Sequence, residues 1–133
     1  MGLILDSGVF IRAERKDQPL DFSPWVAYGD VGISVVTASE LLIGVHRADK
    51  EARRAKRSAF VEAIIGRVPI LDFTLKVARL HADLFARLSK KGQMIGAHDL
   101  LIAATALSYG YALLTTNAQE FRRVDGLIVL EFS

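Results

Sequence analysis

The chain has 133 residues, 51% of them hydrophobic, with a mean hydropathy of +0.28 and a formal net charge of +2. That length suits a single domain over residues 1–133 with a real core. The absence of cysteine excludes disulfides and thiolate metal sites and points to a cytoplasmic protein. No apolar run approaches the roughly 20 residues of a membrane span, and the opening MGLILDSGVF lacks the basic stretch of a signal peptide. The small positive charge is compatible with nucleic acid but does not argue for it strongly. The apolar content implies a surface that a partner covers.

Residues 3–5 form a short apolar run that ends at Asp6, then Ser7 and Gly8. This reads as a buried strand entering a turn and a short helix over 9–15. Residues 17–24 are polar with two prolines, hence a loop, and Pro24 suits the first position of a short helix over 24–28. Residues 32–36 read as a second buried strand. Thr37 then opens a helix with Glu40 three residues later, the pattern of a capping box.

A helix follows Asp49 and runs to 66, with Ala52, Ala55, Ala59, Phe60, Ala63 and Ile64 on one face and basic residues on the other. Residues 69–71 read as a third strand. Residues 74–91 form an amphipathic helix carrying Val77, His81, Leu84, Phe85 and Leu88 at helical spacing, and Gly92 ends it. A helix starting near His98 turns at Gly110 into a strand over 111–115. A capped turn at 117–121 and a strand at 127–130 complete the chain. Short apolar strands alternating with helices predict an α/β domain, a mainly parallel sheet covered by helices on both faces.

The helix that starts near His98 is the odd one. Leu100, Leu101, Ile102, Ala103, Ala104, Ala106 and Leu107 leave it almost no polar face, so it should be buried all round, yet Asp99 sits in its first turn. A buried carboxylate needs a positive partner. The helix N-terminus offers part of one, and a metal ion far more.

In an open parallel sheet, ligands bind beyond the carboxyl ends of the strands. Asp6, Glu40, Asp99 and Asn117 all fall in that zone, with Glu120 one turn after Asn117. Each has a plain structural explanation. Asp6 and Asn117 serve as helix caps, Glu40 and Glu120 complete capping boxes, and Asp99 complements a helix dipole. Capping does not require all of them to meet on one edge, however. Crowded carboxylates repel one another, and a divalent cation relieves this. Oxygen ligands without Cys or a His cluster suit Mg²⁺ or Mn²⁺, and such a site favours phosphoryl chemistry.

The segments LILDSGVFI, ISVVTASELLIGV, IGAHDLLIAATAL and LLTTNAQEFRRVDGL, in this order, carry a resemblance over essentially the whole chain. The sequence resembles the PIN-domain ribonucleases, and among them the VapC toxins of bacterial toxin–antitoxin pairs. The resemblance implies a three-layer α/β/α domain and a metal-dependent endoribonuclease. It matches Asp6, Glu40 and Asp99 to the family's first three acidic positions. Many PIN domains carry Asp at the fourth, where this chain has Asn117; Glu120 is the other candidate, and the substitution weakens the seat of a second ion.

The implied scheme has Asp6 and Asp99 ligating one Mg²⁺, with Asn117 helping directly or through water. Glu40 orients a water or acts as its base, and Thr115 or Thr116 hydrogen-bonds into the site. Ser7 is a helix cap or a donor to Asp6 rather than a nucleophile, since no His adjoins it in sequence. The resemblance also implies a VapB-type antitoxin that lays a segment near the active site and places a basic residue there. It further implies a toxin homodimer within a larger complex, and an RNA target that is transfer, ribosomal or messenger RNA.

Arg12, Arg15 and Lys16 follow Asp6 and are the basic residues expected nearest the site, with Arg12 and Arg15 as RNA-binding candidates; Arg122 and Arg123 are further ones. The run Arg47, Lys50, Arg53, Arg54, Lys56 and Arg57 reads first as a solvated helix face and second as an RNA track. His98 reads as a helix-start residue, His81 as a core or interface histidine and His46 as a surface one. Trp25, with Phe22 and Val26, reads as local packing or as a clamp for a partner. Two other readings compete. One is an inactive PIN-fold RNA-binding module. The other is a phospho-acceptor receiver domain, which would use Asp72 after the third strand but leaves Asp99 unexplained. No G-x-x-x-x-G-K-[ST] or G-x-G-x-x-G supports a nucleotide-binding enzyme.

Overall fold

The apolar run that opens the chain becomes β1 (Gly2–Leu5), buried along its length in the computed structural model, which describes every residue except Gln18 and Phe22. α1 (Ser7–Arg15) follows, then a 3₁₀ helix (Ser23–Tyr28), β2 (Asp30–Ser34), α2 (Val35–His46), α3 (Glu51–Arg67) and β3 (Ile70–Leu71). The second half holds α4 (Leu75–Lys91), α5 (Ala97–Tyr109), β4 (Ala112–Thr115), α6 (Ala118–Phe121) and β5 (Val129–Glu131).

The five strands form one sheet in the order β3-β2-β1-β4-β5, and every pairing is parallel. β1 sits at the centre, with Leu3 opposite Ala112 and Leu5 opposite Leu114. Because strand side chains alternate between faces, β1 and β4 divide their residues between two cores. Leu3, Leu5, Ala112 and Leu114 join Val9, Phe10, Leu41 and Val61 under α1, α2 and α3. Ile4 and Leu113 join Val77, Leu84, Leu100 and Phe121 under α4, α5 and α6. The result is the expected α/β/α sandwich. α5 is the most deeply set helix, with Ile102, Ala103, Ala104 and Ala106 at 0% exposure. No helix of the described residues is long and apolar enough to cross a membrane.

Four local expectations need correction. The second strand ends at Ser34, and the next helix begins at Val35, two residues before Thr37. The cap is Ser34, whose hydroxyl accepts from the Val36 N–H at 2.9 Å, so Thr37 and Glu40 make no capping box. The β-branched pair Val35 and Val36 suits a strand by local preference, but Ser34 offers the better cap and tertiary packing overrides the preference. Asn117 likewise makes no side-chain cap for α6. Third, α3 buries Val61 and Ile64, while Ala52, Ala55, Ala59 and Ala63 stay exposed. Last, Phe85 lies 52% exposed on α4, whose Val77, Leu84 and Leu88 are buried as expected.

The remaining peripheral residues fall into place simply. Gly92 ends α4 in the left-handed conformation, φ 65°. Trp25 packs on Phe132 with ring centroids 5.7 Å apart, and Val26 is 76% exposed; Phe22 lies outside the described residues. His46 is exposed, and His81 is half-buried against the edge of Phe73. Asp72 is exposed, and it is its backbone carbonyl that accepts from Tyr109.

Candidate active site at the carboxyl edge of the sheet

Asp6 occupies the N-cap position of α1, yet its side chain caps nothing. The chain emerges from the central strand, with the Asp6 N–H still bonded to the Leu114 carbonyl at 3.0 Å, so the residue belongs to the sheet edge as much as to the helix. Its carboxylate is 7% exposed and turns to β4, where Oδ2 accepts from the Thr115 hydroxyl at 2.8 Å. Thr115 is fully buried, and its oxygen also accepts from the Asn117 N–H at 3.0 Å. One hydroxyl thus ties the first and fourth strand ends together. Ser7 stands 3.5 Å from Asp6 Oδ1, a weak donor. Thr116 lies over Gly8, where a Cβ would collide with its hydroxyl.

Asp99 enters in the first turn of α5 and is half-buried. Its carboxyl is pushed up to about 6, by burial first, then by repulsion from Asp6, Glu120 and Glu40, with His98 opposing. Glu40 comes from the second turn of α2, and burial raises it too, against the pull of His98. Glu40 Oε2 lies 3.4 Å from His98 Nδ1, while Oε1 is buried with no hydrogen-bond partner. A buried oxygen left unmatched is costly. The Thr37 hydroxyl, one turn earlier on α2, is also buried and unpartnered.

Asn117 and Glu120 are bound to each other. Asn117 Nδ2 donates to Glu120 Oε2 at 2.7 Å, and Glu120 Oε1 accepts from the Gly96 N–H at 2.7 Å. These two bonds, that from Gly96 foremost, hold the Glu120 carboxyl below its ordinary range. Gly96 precedes α5, and a Cβ there would stand 3.3 Å from Asp99 Oδ2 and 3.7 Å from Glu120 Oε1. The sequence reading missed this clamp and the His98–Glu40 pair. The only signal for the clamp is the glycine in IGAHD.

Of the basic candidates, Arg12 is half-buried with Nη1 donating to the Phe132 carbonyl at 2.9 Å, while Arg15 in the last turn of α1 and Lys16 at its C-cap are exposed. Three of the six cations in the run that leads into α3 are paired locally, Arg53 with Asp49, Arg54 with Glu51 and Arg57 with Glu14 of α1. Arg122 is exposed, and Arg123 donates to the Met94 carbonyl.

The donor set is oxygen-only and carries excess negative charge, which matches a hard divalent cation. An unpartnered buried Glu40 oxygen and a carboxyl raised to about 6 at Asp99 are both relieved by a cation. Among the described residues no three His, Asp or Glu side chains form a ready-made cage. Mg²⁺ does not require one, since it is bound through one or two carboxylates and keeps several waters.

A parallel sheet between two helical layers, with mutually repelling carboxylates from four separate elements on its carboxyl edge, is the architecture of a PIN domain. The chain belongs to the PIN-domain family, whose model matches residues 3–127. Within that family its relatives are VapC proteins. Ribonuclease VapC1 of Rickettsia felis is 41% identical over 133 residues, covering 100% of this chain and 98% of that protein. The tRNA(fMet)-specific endonuclease VapC of Shigella flexneri is 33% identical over 105 residues, covering 79% of this chain and 77% of its own length. Among solved structures, VapBC2 from Rickettsia felis, bound to a DNA fragment from its promoter, matches with a TM-score of 0.87 at 28% identity over 100% of both chains.

Proposed function

We propose that this chain is the toxin of a toxin–antitoxin pair, a single PIN domain that hydrolyses RNA phosphodiester bonds with a divalent cation, Mg²⁺ or Mn²⁺, held at Asp6 and Asp99. The observation that carries this reading is the strained carboxylate edge. Asp99 is raised to about 6 by burial and by three neighbouring carboxylates, and Glu40 keeps one buried oxygen unmatched.

When bound, the cation supplies charge neutralisation at the phosphate and makes water more acidic. The chain's own residues do the rest. Thr115 holds Asp6 in place through the 2.8 Å bond. Glu40, with its free oxygen and raised carboxyl, takes the proton from the attacking water. Asn117 commits its amide N–H to Glu120, which leaves its carbonyl oxygen as its donor to a cation. Glu120 spends both oxygens on Gly96 and Asn117 and adds negative charge to the edge. Ser7 has no histidine partner among the described residues, so hydrolysis proceeds without a covalent serine intermediate.

The named relatives support RNA as substrate, and the Shigella protein supports transfer RNA as the first class to try. The VapBC2 complex supports a VapB-type antitoxin. A groove beside Glu40, lined by Ile11, Glu14, Leu41, Arg57 and Phe60 between α1, α2 and α3, offers that partner an apolar seat next to the carboxylates. A basic antitoxin side chain there would compete with the cation. A homodimer within the larger complex completes the reading, in the cytoplasm.

The test is incubation of antitoxin-free protein with total cellular RNA, with Mg²⁺ or EDTA, beside Asp99→Asn. Discrete cation-dependent fragments that vanish in the variant are expected. Absence of cleavage by folded, cation-loaded protein would instead favour a PIN-fold RNA-binding module.

A further inference from the structure

An edge built from Asp6, Glu40, Asp99 and Glu120 carries negative charge that repels a phosphate backbone. A polyanionic strand therefore needs cations placed beside the cluster. Next to it lies an open hollow lined by Gly8, Ile11, Arg12, Arg15, Lys16 and Thr116. Gly8 is two residues beyond Asp6, and Thr116 directly follows Thr115, so the hollow and the carboxylate edge share α1 and the end of β4. Positions 8, 12, 15 and 16 follow helical spacing, which brings the three cations off one face of α1.

The absence of a side chain at Gly8 lets the Thr116 hydroxyl close the floor. Arg12 lines the hollow and is anchored by a bond from Nη1 to the Phe132 carbonyl at 2.9 Å. Several cations elsewhere are tied to local carboxylates: Arg53 to Asp49, Arg54 to Glu51, Arg57 to Glu14, Arg87 to Asp83 and Lys91 to Asp125.

We infer that this hollow is a phosphate subsite, holding the RNA phosphodiester next to the scissile one. Arg15 and Lys16 pair with its oxygens, Arg12 lines the hollow and Thr116 donates from the floor. Phosphate fits better than a base, because three cations and a hydroxyl face it and Ile11 is the one apolar side chain among its lining residues. The inference rests on the ribonuclease reading, and it assigns the strand a direction of approach, along α1 rather than along the basic face of α3.

Two measurements test it. The first is binding of a labelled single-stranded RNA oligonucleotide in EDTA at several salt concentrations, which does not depend on cleavage. Arg15→Gln with Lys16→Gln should weaken binding about tenfold and reduce the slope of log affinity against log salt by about 1.4, since each phosphate contact on a single strand contributes about 0.7. Arg53→Gln with Lys56→Gln on α3 should leave both within about twofold. The second is steady-state cleavage of bulk transfer RNA, where the α1 pair should raise KM about tenfold and change kcat less than about twofold. Both α1 positions are exposed, so the variants keep the wild-type melting temperature. Equal effects from the α1 and α3 pairs, or an unchanged salt slope in the α1 pair, would overturn the subsite. Wild-type protein that binds RNA with the predicted slope but cleaves nothing would overturn the nuclease and leave the subsite standing.

Discussion

Replacing Asp99 by Asn should make the cation-free protein more stable while abolishing its chemistry. The unfolded chain carries an Asp99 that titrates at an ordinary 3.8, whereas in the folded site it titrates at about 6. Between those pH values the folded state holds a proton that the unfolded state has lost, so stability falls as pH rises through that window and levels off above it. A difference of about two units corresponds at most to about 3 kcal/mol. Asp99 is only half-buried and solvent screens it, which reduces the figure to about 1–2 kcal/mol.

Urea unfolding in EDTA, followed by circular dichroism at pH 4 and pH 7.5, measures this directly. Asp99→Asn should gain about 1–2 kcal/mol on wild type at pH 7.5 and almost nothing at pH 4. Glu120 titrates below its ordinary range and adds a pH dependence of opposite sign, but wild type and variant both carry it, so it drops out of their difference at each pH. Saturating Mg²⁺ or Mn²⁺ should then restore wild type by about 2.7 kcal/mol at a hundredfold excess over Kd, and the variant by far less. A variant that is less stable than wild type at both pH values would refute the claim that this edge is electrostatically strained.

Thr115→Val keeps the shape but deletes the hydroxyl that ties Asp6 to Asn117; a loss of about 2–3 kcal/mol is expected, read as a fall of roughly 6–15 °C in Tm, while Thr115→Ser should retain most of it. Ser34→Ala removes the α2 cap and should cost about 1 kcal/mol in urea unfolding, whereas Thr37→Ala, at the hydroxyl without a partner, should cost less than the capping-box reading requires. Gly92→Ala places a Cβ at φ 65° in open space, so only backbone strain of about 1 kcal/mol should appear, with no change in cleavage. Gly96→Ala should leave Tm nearly unchanged but lower kcat, because the added Cβ presses on Asp99 Oδ2; an unaltered kcat would show that this oxygen has room to move.

The strands and long helices are legible in the sequence because hydrophobic period and burial agree there, as in the uniformly apolar α5 and the alternating split of β1. The start of α2 is not. Ile33, Ser34, Val35 and Val36 look like one strand, and only the three-dimensional environment shows that Ser34 ends it by capping a helix. The exposed alanines of α3 mislead for another reason. Alanine favours helix wherever it sits, so it says little about which face is buried.

Residue identity and position past the strand ends place Asp6, Glu40 and Asp99 on one edge of the sheet, but do not show what each is bonded to. The Thr115 link joins residues 109 apart, and the Glu120–Gly96 bond joins residues 24 apart. No local pattern encodes such pairs. The same holds for the hollow on α1. Its cations are visible in the sequence, but the carbonyl that anchors Arg12 lies 120 residues away.

The strand order carries a consequence for how the protein comes into being. The centre of the sheet pairs the first strand with the fourth, and Asp6 is held by a hydroxyl at position 115. A nascent chain that has not yet delivered β4 exposes one side of β1 and has neither Thr115 nor Asn117 to complete the edge. The carboxylate edge is therefore complete only once β4 and the residues that follow it have been made. Such long-range parallel pairing is also slow to form, so closing the edge is a late step in folding.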